Sequence, residues 1–141
     1  MPHPEITLTH DPSPAELQFL DDRIYAHNHT ATGKDDGSLF AFLVRGDDGE
    51  ILAGLSGWTW ANVCEIRILW VSAALRGQGL GAELLARAEA EARAKDCRKI
   101  ILTTYSFQAP DFYPKYGFTQ AACITDFPPG FQYYLFEKTL A

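Results

Sequence analysis

One turn constrains this chain more than any other stretch: Val71-Ser72-Ala73-Ala74-Leu75-Arg76-Gly77-Gln78-Gly79-Leu80-Gly81. Before it lies a run of strand formers, Cys64 to Val71. After it, Gly81 to Lys95 is dense in Ala, Glu, Leu and Arg, with Leu80, Leu84, Leu85 and Ala88 on one helical stripe. The chain therefore passes from strand to helix through glycines at 77, 79 and 81. Glycine frees φ and ψ and leaves no side chain over the peptide N–H groups. One reading is a plain strand–helix turn. The other is an anion cradle, in which those N–H groups converge at the positive end of the helix dipole and Arg76 adds a charge at the lip.

Two known phosphate cradles fail. A P-loop ends in Gly-Lys-Ser/Thr, which is missing here. A dinucleotide fingerprint is G-x-G-x-x-G after an early strand, with an acid about 20 residues on. Here the spacing is G-x-G-x-G, the segment lies mid-chain, and the strand after the helix carries no such acid.

The elements around the turn define a class. Leu39 to Arg45 and Ile51 to Trp60 are strand-rich and joined by Gly46-Asp47-Asp48-Gly49, a hairpin turn. A third strand, Cys64 to Val71, follows a turn at Ala61-Asn62. Beyond the helix, Lys99 to Thr104 is a strand expected beside the third. A crossover returns the chain to the same end, so that pair must be parallel. Pro110 to Lys115 reads as a short helix ending at Gly117, and Phe118 to Cys123 and Gln132 to Lys138 as two last strands. Near the start, Ile6-Thr7-Leu8 alternates like a short strand. Ser13, Pro14 and Glu16 then open a helix carrying Leu17, Leu20 and Ile24. The expectation is one α/β (α+β) domain over 1–141, with a mixed sheet of six to seven strands. It is mostly antiparallel, with a central parallel pair and flanking helices.

Charge and composition narrow the function. Twelve Lys and Arg against 18 Asp and Glu leave a net charge of −6. Non-specific nucleic-acid binding needs cations to displace phosphate counterions, so it is disfavoured, whereas a cationic small partner is favoured. The three cysteines, Cys64, Cys97 and Cys123, are far apart and form no CxxC, which argues against a zinc site or disulfide framework. No apolar run approaches the roughly 20 residues of a bilayer span. No basic-then-apolar leader opens the chain. The expectation is a cytoplasmic protein with no membrane, nucleic-acid or metal partner.

Arg76-Gly77-Gln78-Gly79-Leu80-Gly81 resembles the R/Q-x-x-G-x-G/A motif of the GNAT acetyltransferase superfamily. A second segment, Ser106-Phe107-Gln108-Ala109-Pro110-Asp111-Phe112-Tyr113-Pro114-Lys115-Tyr116-Gly117-Phe118, resembles its N-x-x-A-x-x-L-Y-x-K-x-G-F stretch. Ala109, Tyr113, Lys115, Gly117 and Phe118 match, while Ser106 replaces Asn and Phe112 replaces Leu. The resemblance implies that the backbones of Arg76, Gly77, Gln78, Gly79, Leu80 and Gly81 hold the pyrophosphate of acetyl-coenzyme A. Main-chain atoms of Leu69 and Val71 would bond its pantetheine arm, with Ser106 at the position of the usual Asn contact. Tyr113 falls where members keep a tyrosine that protonates the departing thiolate, and an aromatic packing role is its plainer alternative.

Counting back from Arg76, Glu65 matches the glutamate base of the histone-acetylating branch. Strict alternation would put Glu65, Arg67, Leu69 and Val71 on one face. Arg67 is also placed to pair with Glu65, and water chains serve as bases in many members. His27 and His29 at i and i+2 point to different helix faces and cannot chelate together. His27 is a candidate for the acceptor pocket, with a solvated helix end as the plain reading. Trp58 and Trp60 share a sheet face, where core packing is the default and an aromatic acceptor wall the sharper option. The resemblance implies direct transfer of acetyl to a primary amine in a ternary complex. A silent coenzyme A-binding sensor and a protein N-acetyltransferase stand as alternatives, and the last strands of such domains can pair into a homodimer.

Overall fold

The structure, a computed structural model, describes residues 2–141. It comprises two compact units, divided between Asp35 and Asp36. The first contains α1, Pro14–Thr32. Ser13 Oγ accepts from the Glu16 N–H at 3.1 Å, and the Glu16 carboxylate accepts from the Ser13 N–H at 2.8 Å. This reciprocal pair, with Pro14 at the first position, sets the start. Gly33, at φ 73°, ends the helix by donating to the His29 carbonyl. The strand expected at Ile6-Thr7-Leu8 is not formed, and Ile6 and Leu8 are exposed. Three alternating residues without a neighbouring strand have nothing to hold them extended.

The second unit holds β1 (Ser38–Arg45), β2 (Ile51–Trp60), β3 (Val63–Val71), α2 (Leu80–Ala94), β4 (Lys99–Tyr105), β5 (Thr119–Thr125) and β6 (Gln132–Thr139). They form one six-stranded sheet in the order β1-β2-β3-β4-β6-β5. Only β3 and β4 are parallel, so the expected mixed class holds at its lower strand count. The short helix expected from Pro110 is instead a 3₁₀ turn, Tyr113–Tyr116. Pro114 has no N–H to return to the carbonyl of Pro110, so an α-helix over this stretch would lose that bond.

Leu84, Leu85, Ala88 and Ala92 of α2 are buried with Ala53, Leu55, Cys64, Ile66, Ile100, Leu102 and Phe136 of the sheet. Each fully buried large apolar side chain contributes about 1.5–3 kcal/mol. The core thus lies on one sheet face, beneath α2.

Two irregularities position the site. Ser56 stands opposite Ile68 but Gly57 opposite Ile66, so Arg67 is an extra residue in β3. Such a bulge inverts the side-chain alternation beyond it. Cys64 and Ile66 face the core before the bulge, and Leu69 and Val71 face it afterwards. The expectation that Glu65 shares a face with Leu69 and Val71 is therefore wrong. It assumed unbroken alternation through Arg67. Immediately before the bulge, the β3–β4 ladder stops: it runs from Val63 opposite Lys99 to Ile66 opposite Leu102. Beyond that point the two parallel strands part.

Candidate active site

The parting strands enclose a cleft of about 670 Å³. One wall is Ile66 to Val71 and the other is Leu102 to Tyr105, with Gln108, Ala109 and Tyr113 closing it. Leu69 and Val71 are paired with Leu55 and Ala53 of β2, while the β4 side of this segment has no ladder partner. An edge without a partner presents main-chain N–H and C=O groups to whatever enters.

A second hollow of about 460 Å³ adjoins the first, sharing Leu69, Val71, Arg76, Ala109 and Tyr113 with it. Gly77, Gly79, Leu80 and Gly81 line it; Gln78 is exposed and does not. Gly77 and Gly79 have φ of 79° and 80°, a region that penalises any Cβ. A Cβ at Gly81 would meet only the Phe112 ring, at an ordinary 3.6 Å. Two of the three glycines are thus required by backbone conformation, and the third is not. Gly79 caps α2 without a side chain. The first N–H groups of the helix consequently lack the partner a Ser or Asp cap would supply. Arg76 Nε donates to the Val71 carbonyl at 3.0 Å, which ties the loop to the end of β3. This mouth fits an anionic diphosphate, and the open β3 edge fits an extended amide-bearing chain.

Tyr113 lies where the two hollows meet. Its ring is packed against Phe112, Phe118 and Phe136 at centroid distances of 5.2, 5.8 and 6.0 Å. It is 9% exposed, and burial raises its pKa above the ordinary tyrosine value. The phenol keeps its proton at neutral pH.

Glu65 lies on the face away from α2, in register with Ile101 and hence on the side of Thr103 and Tyr105. Its Oε1 accepts from Trp58 Nε1 at 3.2 Å and faces Arg67 Nε at 3.4 Å, so the anticipated ion pair is present. Arg67 also stands over the Trp58 ring at 5.8 Å. Trp58 and Trp60 stack at 6.1 Å, both on that face. His27 is exposed on α1. Ser106 does not line the cleft: its Oγ accepts from the Gln132 N–H at 3.0 Å. Cys64 is fully buried and its thiol is pushed up to about 12, chiefly by desolvation. Among the described residues, no cluster of His, Cys, Asp or Glu could hold a metal ion, and no helix is long and apolar enough to cross a membrane.

Sequence reasoning missed two features of the cleft. Gln108 lines it, two residues after the expected Ser106. Tyr105, Phe107 and Tyr133 also line it, and they continue into Phe127 and Phe131 as one aromatic group. The density of Phe and Tyr in both segments was a usable signal, but the pairing of Tyr105 with Tyr133 needs the strand register.

A mixed sheet that opens between two parallel strands, beside an uncapped helix start, is the architecture of the solved acetyltransferases on which this chain superposes. The sequence matches the acetyltransferase (GNAT) family over residues 6–118, and the chain belongs to that family. It is 43% identical over 106 residues to blasticidin-S acetyltransferase of Streptomyces morookaense, spanning 72% of this chain and 76% of that one. A crystal structure of an acetyltransferase from Agrobacterium tumefaciens superposes with a TM-score of 0.88 at 29% identity, covering 96% of this chain and 99% of the other. A streptothricin acetyltransferase of Bacillus anthracis, solved with acetyl-coenzyme A, shares the fold at a TM-score of 0.63 and 19% identity, over 73% of this chain and 63% of its own. The protein is an acyltransferase, and acetyl-coenzyme A is its family's co-substrate.

Proposed function

We propose that this protein moves an acetyl group from acetyl-coenzyme A to a primary amine of a small molecule, by direct transfer in a ternary complex. Blasticidin-S is the first acceptor to test, because a relative 43% identical is an acetyltransferase of that compound. The observation that carries the reading is the cleft's continuity, from the uncapped start of α2, past the Tyr113 ring, to the aromatic face beyond the sheet.

In this reading the N–H groups of Arg76 to Gly81 and the Arg76 guanidinium hold the pyrophosphate. The open edge of β3 at Leu69 and Val71 takes the pantetheine arm. The acceptor approaches from the opposite sheet face, beside Trp58, Tyr105 and Tyr133. Its nitrogen attacks the thioester carbonyl, forming the C–N bond as the C–S bond breaks. The Tyr113 hydroxyl gives its proton to the leaving sulfur. The amine proton passes to Glu65, directly or through water, a role supported by the bulge, which turns that carboxylate to the sheet face of Trp58. The −6 net charge favours a cationic acceptor.

Thiol release from acetyl-coenzyme A, followed with blasticidin-S, polyamines and peptides as acceptors, tests the proposal. Turnover with a small amine supports it. Turnover with peptides alone replaces it with protein acetylation, and coenzyme binding without any turnover with a sensor role. No acetyl-coenzyme A binding by calorimetry sinks it.

A further inference from the structure

We infer that the acceptor carries its amine on a flat aromatic or heteroaromatic ring, received by Phe127 and Phe131, an inference that rests on the proposed function. Tyr105, Phe107 and Tyr133 line the cleft. Phe127 and Phe131 continue the same aromatic group but do not line it. A ligand lying on those two rings has therefore left the space between β3 and β4, while remaining in contact with it.

Polar bonds hold the group in place. Ser106 donates its N–H to the Gln132 carbonyl at 2.9 Å, and its Oγ accepts from the Gln132 N–H at 3.0 Å. This double tie sets Phe107 beside Phe131, with 5.2 Å between ring centroids. The loop between β5 and β6 closes on itself. The Phe127 N–H donates to the Phe131 carbonyl at 3.0 Å, and the Phe131 N–H to the Pro128 carbonyl at 2.9 Å. The Gly130 N–H donates to Asp126 Oδ1 at 2.9 Å. Both rings are thus fixed before a ligand arrives, which lowers the ordering cost of binding. Phe107, Phe127 and Phe131 are nonetheless 53%, 44% and 43% exposed, so their outer surfaces are free to be covered.

Two observations select the occupant. Residues 103–109 and 119–136, which carry these rings, contain no Lys or Arg. The chain's own cation–ring contacts are at Phe19 and Trp58 instead, so the negative ring faces stay open and no local cation repels an amine. The rings also differ in orientation. Phe127 stands at 84° to Tyr105 and Phe131 at 80° to Phe107, whereas Tyr105 and Phe107 lie within 15° of parallel. Faces and edges are both presented, and these are what an incoming ring uses in stacked and T-shaped contacts. An alkyl chain would gain only area there. The acceptor nitrogen must reach the thioester beside Tyr113, so the remainder of the acceptor meets Phe127 and Phe131.

Phenethylamine and cyclohexylethylamine share a chain length and differ in whether the ring has a π face. Calorimetry of each on the protein saturated with coenzyme A reads binding, and thiol release from acetyl-coenzyme A reads turnover. A surface offering area alone would favour the more apolar cyclohexyl ring. The expected result is tighter binding of the phenyl compound by about fivefold, the size of one aromatic pair. That preference should shrink toward one in Phe127→Leu and Phe131→Leu, with melting and coenzyme A affinity as in wild type. Equal or reversed preference in the wild type, no binding of either amine, or a preference that survives both substitutions overturns the inference. So does a dimer, seen by light scattering, that Phe131→Leu dissociates, since a second copy would then cover the rings. Each of these outcomes leaves the proposed function standing, whereas failure of the wild-type protein to bind acetyl-coenzyme A overturns both.

Discussion

Tyr113 shows how environment selects one chemical role from several that a residue type offers. Its ring is enclosed by Phe112, Phe118 and Phe136, and desolvation keeps the phenol protonated. A protonated phenol is an acid and not a base at neutral pH. Tyr113→Phe should retain the fold, because the ring contacts survive, and should lower kcat by roughly 10²-fold or more with little change in acetyl-coenzyme A affinity. Steady-state kinetics beside calorimetry check both halves, and full turnover by the variant would remove the acid role. The thiols sort by the same rule. Cys64 and Cys97 are buried with raised pKa values, while Cys123 is exposed. Titration of the native protein with a thiol reagent at pH 8 should count one fast thiol and two more only after denaturation. Buried and exposed cysteines look alike in the sequence, and so do Ser106 and Gln108 as polar residues for the cleft wall. Which of the two meets the cleft depends on Gln132 reaching Ser106 from 26 residues away.

Among the elements, β3 decides the geometry of the site. Its extra residue at Arg67 turns Glu65 to one face and Leu69 and Val71 to the other, next to the point where β4 departs. Gly57 on β2 makes this arrangement possible. A Cβ there would collide with the Glu65 carbonyl and stand 2.9 Å from Phe40 Cζ. Gly57→Ala should therefore cost about 1–3 kcal/mol in chemical denaturation, since main chain rather than a flexible side chain must yield. Gly81→Ala, whose Cβ would meet only the Phe112 ring at an ordinary contact distance, serves as the comparison and should cost less. The strands, hairpin turns and α2 were legible because their periods and turn residues are local. The capping box of Ser13 and Glu16 was legible for the same reason. The bulge was not, because nothing in Glu65-Ile66-Arg67-Ile68 marks where a partner strand will have one residue fewer.

For the whole molecule, the raised pKa values of Tyr113 and Cys64 carry a consequence for stability. Both groups are neutral in the folded state at pH values where they ionise in the unfolded chain. Their contribution is complete below the unfolded values, about 8.5 for Cys and 10 for Tyr, and is lost as pH rises through the folded ones. Thermal unfolding should accordingly show a falling Tm between about pH 9 and 12, with a shallower fall for Tyr113→Phe. A flat profile across that window would contradict the burial of these groups. The acidic total charge bears on the site at this scale too. Arg76 and the uncapped start of α2 supply local positive potential for an anionic co-substrate, within a chain whose remainder favours cations.

By itself the sequence determined the mixed α/β class, the strand–glycine–helix turn, the order of the elements and the acetyltransferase family, because each is written in contiguous residues or short motifs. The tertiary structure alone decided the face on which Glu65 sits, the withdrawal of Ser106 to Gln132 and the joining of Tyr105 to Tyr133. These depend on register between strands distant in the chain, and register is set by the packing of one whole sheet face beneath α2.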